Sequence, residues 1–366
     1  MLKLFKKYKS LSNYARTSVN TYGLILLAFV IIFPLQQVGA LSYSFSGMLV
    51  PICAYIVMAI SLNLTVGVLG ELSLGHAGFM SVGAFSGAIA AVSLGNGTPD
   101  VLRLVVGVLI GGILAGIAGL LIGIPVLRLK GDYLAIVTLA FGEIIKNIVN
   151  CLYVGVDEKG LHFSMTDVAS LNMTNGTVIL KGPQGAVGIP KVASFLAGII
   201  LILITLFVVI NLVHSRTGRA IKAIRNNQIA AESVGIGITK YKLIAFITSA
   251  ALAGMAGAMY AMNYSSIVAK KFDFNTSILV LVFVVLGGMG NFSGTIIATT
   301  VLYMLPEIFR EFGEYRMIIY AVVLIIVMLA TNSAGAKMIK DKVVDFVKGI
   351  FANKKVKVKS GGGDNE

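Results

Sequence analysis

HSRTGRAIKAIRNNQIAAESVGIGITKYK, residues 214–242, is a polar run that separates two long apolar segments of the chain. It carries six lysines and arginines against a single acid, Glu232. Its middle, rich in alanine and isoleucine, predicts a short helix that Gly235 and Gly237 end. Such a run is either a solvated cytoplasmic loop that follows the positive-inside rule or a docking element for a cytoplasmic partner.

The composition of the chain indicates a membrane protein. Of its 366 residues 57% are hydrophobic and 13% are charged, and the mean hydropathy is +0.90. A soluble domain carries about 25% charged residues. We therefore predict an all-α polytopic membrane protein, with a basic cytoplasmic N-terminus (1–20), a transmembrane domain (21–333) and a basic cytoplasmic tail (334–366). The net charge of +14 lies in loops and tails, where it orients helices, and it does not indicate nucleic-acid binding.

Ten apolar segments are the predicted spans. With the N-terminus in the cytoplasm, the inside segments hold 21 of the 30 lysines and arginines, as the positive-inside rule requires. The even number places both termini and 214–242 in the cytoplasm, and it leaves a long polar loop, 155–191, outside. The eighth and ninth spans are short enough that one of them could be re-entrant or broken. The predicted spans are 22–37, 45–65, 67–94, 101–127, 133–153, 192–213, 243–263, 277–289, 295–308 and 317–331.

Three ionisable residues, Glu71, Glu143 and Lys146, fall at or near membrane depth in this arrangement. A charge at the centre of a bilayer costs about 2.5–3.5 kcal/mol, so each needs a reason. Glu143 and Lys146 have helical i, i+3 spacing, which predicts either a local ion pair or a role in a substrate path or proton relay. Glu71 precedes a helix, where it either interacts with the helix dipole or lines the pathway.

Glycine is dense in two stretches, GVLGELSLGHAGF (67–79) and GGMGNFSG (287–294). Because each glycine costs up to about 1 kcal/mol against alanine in a helix interior, the stretches indicate either tight helix packing or glycine-broken helices that line a cavity. His76 is either a packing residue or a ligand of the solute, and an apolar cavity here would suit a small, partly apolar solute. The candidates for the substrate pathway are Glu71, Ser73, Gly75, His76, Thr138, Glu143, Gly287, Gly288 and Gly290.

Sequence motifs of enzymes are absent from the chain. The ATP-binding pattern GxxxxGK[ST] does not occur, and neither do GxSxG, HExxH or CxxC. The three histidines are isolated from one another and predict no metal site. We therefore expect a protein that is not an enzyme, with no catalytic residues and no cofactor or metal of its own.

Five long motifs resemble those of the branched-chain amino acid ABC transporter permeases, most closely the LivM-type subunit of the LivH/LivM family. Their order and spacing are also those of that family, and the similarity covers residues from about 45 to 333. The motifs are GELSLGHAGFMSVGAF (70–85), RLKGDYLAIVTLAFGEIIKNIV (128–149), GRAIKAIRNNQIAAESVGI (218–236), VLGGMGNFSGTIIA (285–298) and LPEIFREFGEYRMIIYAVVLI (305–325).

The resemblance implies a multi-pass permease of a bacterial cytoplasmic membrane that imports leucine, isoleucine and valine. Its implied partners are a second, LivH-type permease subunit, two ATPase subunits that hold ATP and Mg²⁺, a periplasmic or lipid-anchored substrate-binding protein, and membrane lipid, but no nucleic acid. Related permeases carry urea or short amides, which is one alternative. An ion-coupled secondary transporter is another, and its coupling residues would be the three ionisable groups at membrane depth.

In such permeases a cytoplasmic motif, E-A-A-x-x-x-G, docks on the ATPase. The matching positions here are Ala230, Ala231 and Gly235, with Ile229 in place of the glutamate. Small alanines let a helix seat closely, and a glycine permits the turn that ends it. The residues implied in coupling to the ATPase are Arg225, Asn226, Ala230, Ala231, Glu232 and Gly235.

Overall fold

The computed structural model describes residues 13–332 except 40, 41, 96, 130, 158, 159, 172, 174 and 175. The predictions for residues 1–12 and 333–366 lie outside the described residues. The described helices are α1 (Asn13–Gln37), α2 (Tyr43–Asn63), α3 (His76–Ser93), α4 (Asp100–Val126), α5 (Asp132–Cys151), α6 (Phe195–His214), α7 (Arg216–Asn226), α8 (Gln228–Ser233), α9 (Ile238–Ala261), α10 (Phe274–Gly287), α11 (Phe292–Ile308) and α12 (Arg316–Asn332).

The helices confirm a polytopic helical membrane protein. Among the described residues, seven helical segments are long and apolar enough to cross a bilayer. Three shorter apolar helices, at Thr21–Gln37, Phe274–Gly287 and Met317–Leu329, bring the apolar helices to the ten positions where spans are predicted. Whether all ten cross the membrane stays a prediction. α1 begins at Asn13, inside the segment assigned to the N-terminus.

Small residues let α3, α4 and α9 pack backbone to backbone. A Cβ at Gly83 of α3 would lie 2.1 Å from the carbonyl oxygen of Gly254 in α9, and one at Gly111 of α4 would lie 2.8 Å from the Gly83 oxygen. Close approach of this kind is what small residues at four-residue spacing provide in lipid. The small residues of α4 therefore serve helix packing.

The prediction of an all-α chain is wrong in one region, because the loop predicted at 155–191 forms most of an antiparallel sheet. Its strands are β1 (Tyr153–Asp157), β2 (Gly160–Ser164), β3 (Thr177–Lys181), β4 (Ala186–Val187) and β5 (Ser266–Ile267), in the order β2-β1-β3-β4-β5. The strands are two to five residues long, and the regular alternation of polar and apolar residues in β2 does not extend to the rest of the sheet, so periodicity does not reveal it. β1 follows α5 after a single residue, Leu152, which places the sheet directly at the end of a predicted span.

The chain divides into two units, residues 1–303 and residues 304–366. The first contains α1 to α10, the sheet and most of α11. The described part of the second contains the end of α11, a 3₁₀ segment at Phe309–Tyr315 and α12.

Candidate functional site

The first glycine-rich stretch is a break between two helices. α2 continues as a π-helical segment at Leu64–Leu69, and Gly70 then adopts the left-handed conformation with φ +83°. Residues 70–75 are not helical, and α3 begins at His76. Single turns of π-helix occur frequently at functional sites. The interpretation of this stretch as a glycine-broken helix is confirmed, and we call residues 64–75 the first break.

The second glycine-rich stretch is a break as well. α10 ends at Gly287, and Gly288 and Gly290 have φ values of +93° and +84°, which favour glycine. The chain then turns into α11 at Phe292. We call residues 287–291 the second break.

Asn63 joins the two breaks. Its side-chain oxygen accepts a hydrogen bond from the Gly290 N–H at 2.7 Å, and its amide donates to the Thr295 hydroxyl at 2.7 Å. A Cβ at Gly67 would lie 1.8 Å from the Asn63 side-chain oxygen and 2.3 Å from the Gly290 nitrogen. The two breaks, which are more than 200 residues apart in sequence, therefore meet in direct contact, and only glycine fits at position 67.

The basic run 214–242 folds into two short helices followed by the start of α9. The Ser215 side chain caps α7 by accepting from the Gly218 N–H at 3.2 Å, and Asn227 caps α8 by accepting from the Ala230 N–H at 3.0 Å. Gly235, with φ +82°, ends the pair. The predicted helix and its glycine stop are confirmed, although Lys240 and Lys242 belong to α9 and not to a loop.

Two cations of this run reach the first break. Arg225 donates from Nη1 to the carbonyl oxygen of Gly67, and Lys242 forms an ion pair with Glu71. The Lys242 side chain is 3% exposed and the Glu71 side chain 17% exposed, so this charge pair is largely removed from solvent. A buried charge needs a partner. The ion pair with Lys242, and not the dipole of the helix that follows, therefore explains why a glutamate is tolerated at position 71.

Sequence reasoning missed Asn63 and Lys242. Asn63 stands alone in an apolar helix directly before the glycine-rich stretch, and a lone amide at membrane depth is itself a signal of a buried hydrogen bond. Lys242 precedes Phe246 and Ser249 at helical spacing, and all three are buried. That spacing distinguishes Lys242 from the other cations of the run 214–242, all of which the positive-inside rule assigns to the cytoplasm.

Polar groups without partners lie at the start of α3. His76 Nε2 is 2.8 Å from the Ser61 hydroxyl, but His76 Nδ1 and the Ser73 hydroxyl are buried without a hydrogen-bond partner in the described part of the chain. The Leu74 N–H donates to the Thr138 hydroxyl at 3.1 Å. Four of the predicted pathway residues, Ser73, Gly75, His76 and Thr138, are thus brought together.

The first break contacts α5 at Gly75. A Cβ at Gly75 would lie 2.0 Å from the Thr138 carbonyl oxygen, so the backbones of the two segments are in contact. The neighbouring Ala77 N–H donates to the Ser277 hydroxyl of α10 at 3.1 Å. The start of α3 is therefore held by α5 on one side and by α10 on the other.

Glu143 pairs with Lys146, so the local ion pair predicted from their spacing is confirmed. Asp273, the N-cap of α10, lies near this pair. Partial burial acts to raise the pKa of Asp273, but hydrogen bonds from Thr276 and Asn275 and the Lys146 charge outweigh it and hold the pKa below its usual value.

A small cavity connects this charged group to the start of α3. It is lined by Ala77, Gly78, Glu143, Asp273 and Ser277, among others, and its volume of about 10 Å³ is close to that needed for one water molecule. Glu143 therefore lies beside the other pathway candidates of α3, whereas Gly287, Gly288 and Gly290 lie at the second break.

α8 presents apolar side chains outward. Ile229 is 81% exposed and Val234 74% exposed, and Ala230 between them is exposed as well. Ala231 is 4% exposed and packs into the protein itself. Of the residues implied in coupling, Arg225, Asn226, Ala230, Glu232 and Gly235 are thus at the surface, and Ala231 seats the helix on its own chain.

A family model and two relatives of this chain carry descriptions that agree with one another. A family model described as branched-chain amino acid transport system / permease component matches residues 44–328. The high-affinity branched-chain amino acid transport system permease protein LivM of Salmonella typhimurium is 33% identical over 309 residues, which is 75% of this chain and 66% of that protein, and LivM of Escherichia coli gives the same values. The chain thus spans slightly less than two thirds of the length of these relatives.

A more distant relative carries a different name. The ribose import permease protein RbsC of Haemophilus influenzae is 27% identical over 291 residues, which is 77% of this chain and 82% of that protein. No solved structure matches the chain.

Proposed function

The chain belongs to the family of branched-chain amino acid transport permease components, and we propose that it is the membrane-spanning subunit of an ABC importer for leucine, isoleucine and valine. In this proposal the chain crosses a bacterial cytoplasmic membrane ten times and both termini lie in the cytoplasm. Separate ATPase subunits hydrolyse ATP, since the sequence holds no ATP-binding motif. A second permease subunit completes the pathway, and a substrate-binding protein delivers the amino acid outside.

The observation that carries the proposal is the connection between the basic run and the broken helices. Arg225 on α7 holds the Gly67 carbonyl, and Lys242 on α9 holds Glu71, so any displacement of the run acts directly on the first break. Asn63 passes the displacement on to the second break through Gly290. A docked ATPase that moves α7 and α8 would thereby shift both breaks together.

The surface that receives the ATPase is formed by Ile229 and Ala230, exposed on α8, together with Val234, which directly follows the helix. Exposed apolar residues on a short helix in the predicted cytoplasm suit a groove on a partner protein. Ala231 lies on the opposite, buried side of α8, where its small side chain allows the helix to pack closely against the rest of the chain.

The test is the variant Ile229→Arg in the complete importer complex. We expect the ATPase subunits to dissociate during purification and ATP-driven uptake to fall by at least tenfold, because a guanidinium replaces the central apolar contact. Lys222→Ala, an exposed change on the neighbouring α7, is the matched control and should keep both properties. Normal uptake by Ile229→Arg would refute docking through α8.

The pathway is proposed to pass the start of α3. Discontinuous helices at membrane depth commonly build transporter sites, because the helix N-terminus and unwound backbone supply polar groups there. Ser73, His76 and Thr138 supply such groups here, and Glu143 lies beside them. Opening of this region during the transport cycle would expose the groups to an amino acid.

Uptake by the complex should be measured with leucine, isoleucine, valine, urea and ribose in parallel, since a ribose import permease is among the relatives. Transport of urea or ribose in place of the amino acids would replace the substrate but keep the permease role. Proton- or sodium-driven uptake by this chain alone in liposomes would instead support an ion-coupled transporter.

A further inference from the structure

The edge strand of the sheet carries an exposed apolar surface. Leu161 is 46% and Phe163 62% exposed, and their two-residue spacing places both side chains on one face of β2. Met165, which directly follows the end of the strand at Ser164, is 70% exposed. β2 is the outermost strand of the described sheet, so no described strand covers its outer edge. We call Leu161, Phe163 and Met165 the β2 patch.

The pairing register fixes how far the β2 patch lies from the end of α5. Phe163 pairs with Val154, which is three residues beyond the last residue of α5, Cys151. At about 3.3 Å per residue, Val154 lies within about 10 Å of the helix end, and Phe163 lies one strand spacing, about 4.8 Å, to its side. Leu161 pairs with Val156, one repeat of the strand further out.

α5 has the length of a bilayer core. Its 20 residues extend over about 30 Å, which equals the thickness of the hydrocarbon layer. Ile144 and Ile148 near its end are 49% and 50% exposed, as expected of side chains that face lipid. Cys151 therefore lies near the edge of the hydrocarbon, and Phe163 falls within or just beyond the headgroup layer. Tyr153, opposite Ser164, has the residue type that is enriched at this level.

The chemistry of β2 fits lipid better than water or a charged protein surface. Residues 160–166 contain no aspartate, glutamate, lysine or arginine. Soluble edge strands usually carry charges that prevent them from pairing with other strands, and this one carries none. Hydrated headgroups can satisfy the free backbone of the edge while the apolar side chains reach toward the acyl chains.

From these observations we infer that the β2 patch is a membrane-interface anchor, which inserts Phe163 and Met165 into the leaflet at the end of α5. It holds the sheet against the bilayer surface. The inference depends on α5 spanning the bilayer and not on the transported solute.

The test uses the absence of tryptophan from this chain. The full chain with Phe163→Trp is reconstituted in phosphatidylcholine vesicles with or without bromine on the acyl chains, and the tryptophan emission is compared. Ile148→Trp on α5 is the control for lipid contact, and Ile229→Trp, 81% exposed on α8 and far from the sheet in sequence, is the control for water contact. We expect Phe163→Trp to be blue-shifted and quenched by brominated lipid to a degree approaching Ile148→Trp.

Met165→Trp repeats the measurement independently should Phe163→Trp fail to fold, and quenching is expected there too. Emission from both variants that matches Ile229→Trp would overturn the anchor. A blue shift that appears only when the substrate-binding protein is added, without quenching by brominated lipid, would overturn it in favour of a protein docking surface. Neither result bears on whether the chain transports amino acids, which the uptake assay decides separately.

Discussion

The ion pair between Glu71 and Lys242 should dominate the stability of the first break. The Lys242 side chain is 3% exposed, so Glu71→Gln leaves an ammonium group buried without its counter-charge. Breaking a buried pair from one side costs about 3–5 kcal/mol. Lys242→Met should cost less, because Glu71 is 17% exposed and retains part of its hydration. The double variant removes both charges at nearly constant volume and should be more stable than Glu71→Gln alone.

The measurement is a double-mutant cycle on the full chain, with the free energy of unfolding determined by denaturant titration in lipid-detergent micelles and followed by circular dichroism. Glu307 and Arg310 form the control pair, since the Arg310 side chain is 65% exposed and the two are one helical turn apart. Exposed pairs of this kind give coupling energies of about 0.2–1 kcal/mol. A coupling energy for Glu71 and Lys242 no larger than that of the control would refute the reasoning.

Three further predictions concern the contacts around this pair and the entrance of α10. Arg225→Ala removes the donor to the Gly67 carbonyl, so in the complete complex uptake should fall several-fold while ATP hydrolysis continues; equal loss of both would contradict a coupling role. Gly67→Ala should lower the free energy of unfolding by at least about 2 kcal/mol, because the added Cβ would collide with the backbone of Gly290 and the side chain of Asn63. Gly47→Ala is the control: a Cβ there has no other atom within 4 Å, so the change should be neutral or stabilising by up to about 1 kcal/mol. Asp273→Ala should cost about 1 kcal/mol as a lost helix cap at pH 7. Because the pKa of Asp273 is lowered in the folded state, the difference in unfolding free energy between the wild type and Asp273→Ala should persist at pH 5 and shrink only as pH falls below the usual aspartate range. A difference already lost at pH 5 would show that the carboxylate is not held ionised.

Local sequence features were sufficient to predict most helix positions and both breaks. A run of about 20 apolar residues must form a helix in lipid, and clustered glycines weaken a helix wherever they fall, so neither property needs the rest of the chain. The Glu143 and Lys146 pair could be predicted for the same reason, since its partners are one turn apart on α5. The motif around Ala230 marked the right helix, but not that Ala231 faces inward.

The sheet could not be predicted from the sequence, because its strands are short and irregular and because β5 comes from a segment about 80 residues after β4. Strand pairing over such distances depends on where α5 and α9 end in space, and no local pattern records it. The exposure of Phe163 on the edge strand, and with it the proposed anchor, became visible only once the register was known.

By itself, then, the sequence determined the helical membrane class, the basic run with a short helix and its glycine stop, and the positions of the two glycine-rich stretches, since each follows from hydrophobic length, charge or glycine content within one segment. Only the tertiary structure decided that these parts touch. Arg225 lies 158 residues from Gly67 and Lys242 lies 171 residues from Glu71, and Asn63 lies 227 residues from Gly290. The partner of a buried charge or amide is set by which group the packed helices bring close to it, and not by spacing in the sequence. A buried charge or amide left without a partner would destabilise the protein wherever it lies in the chain.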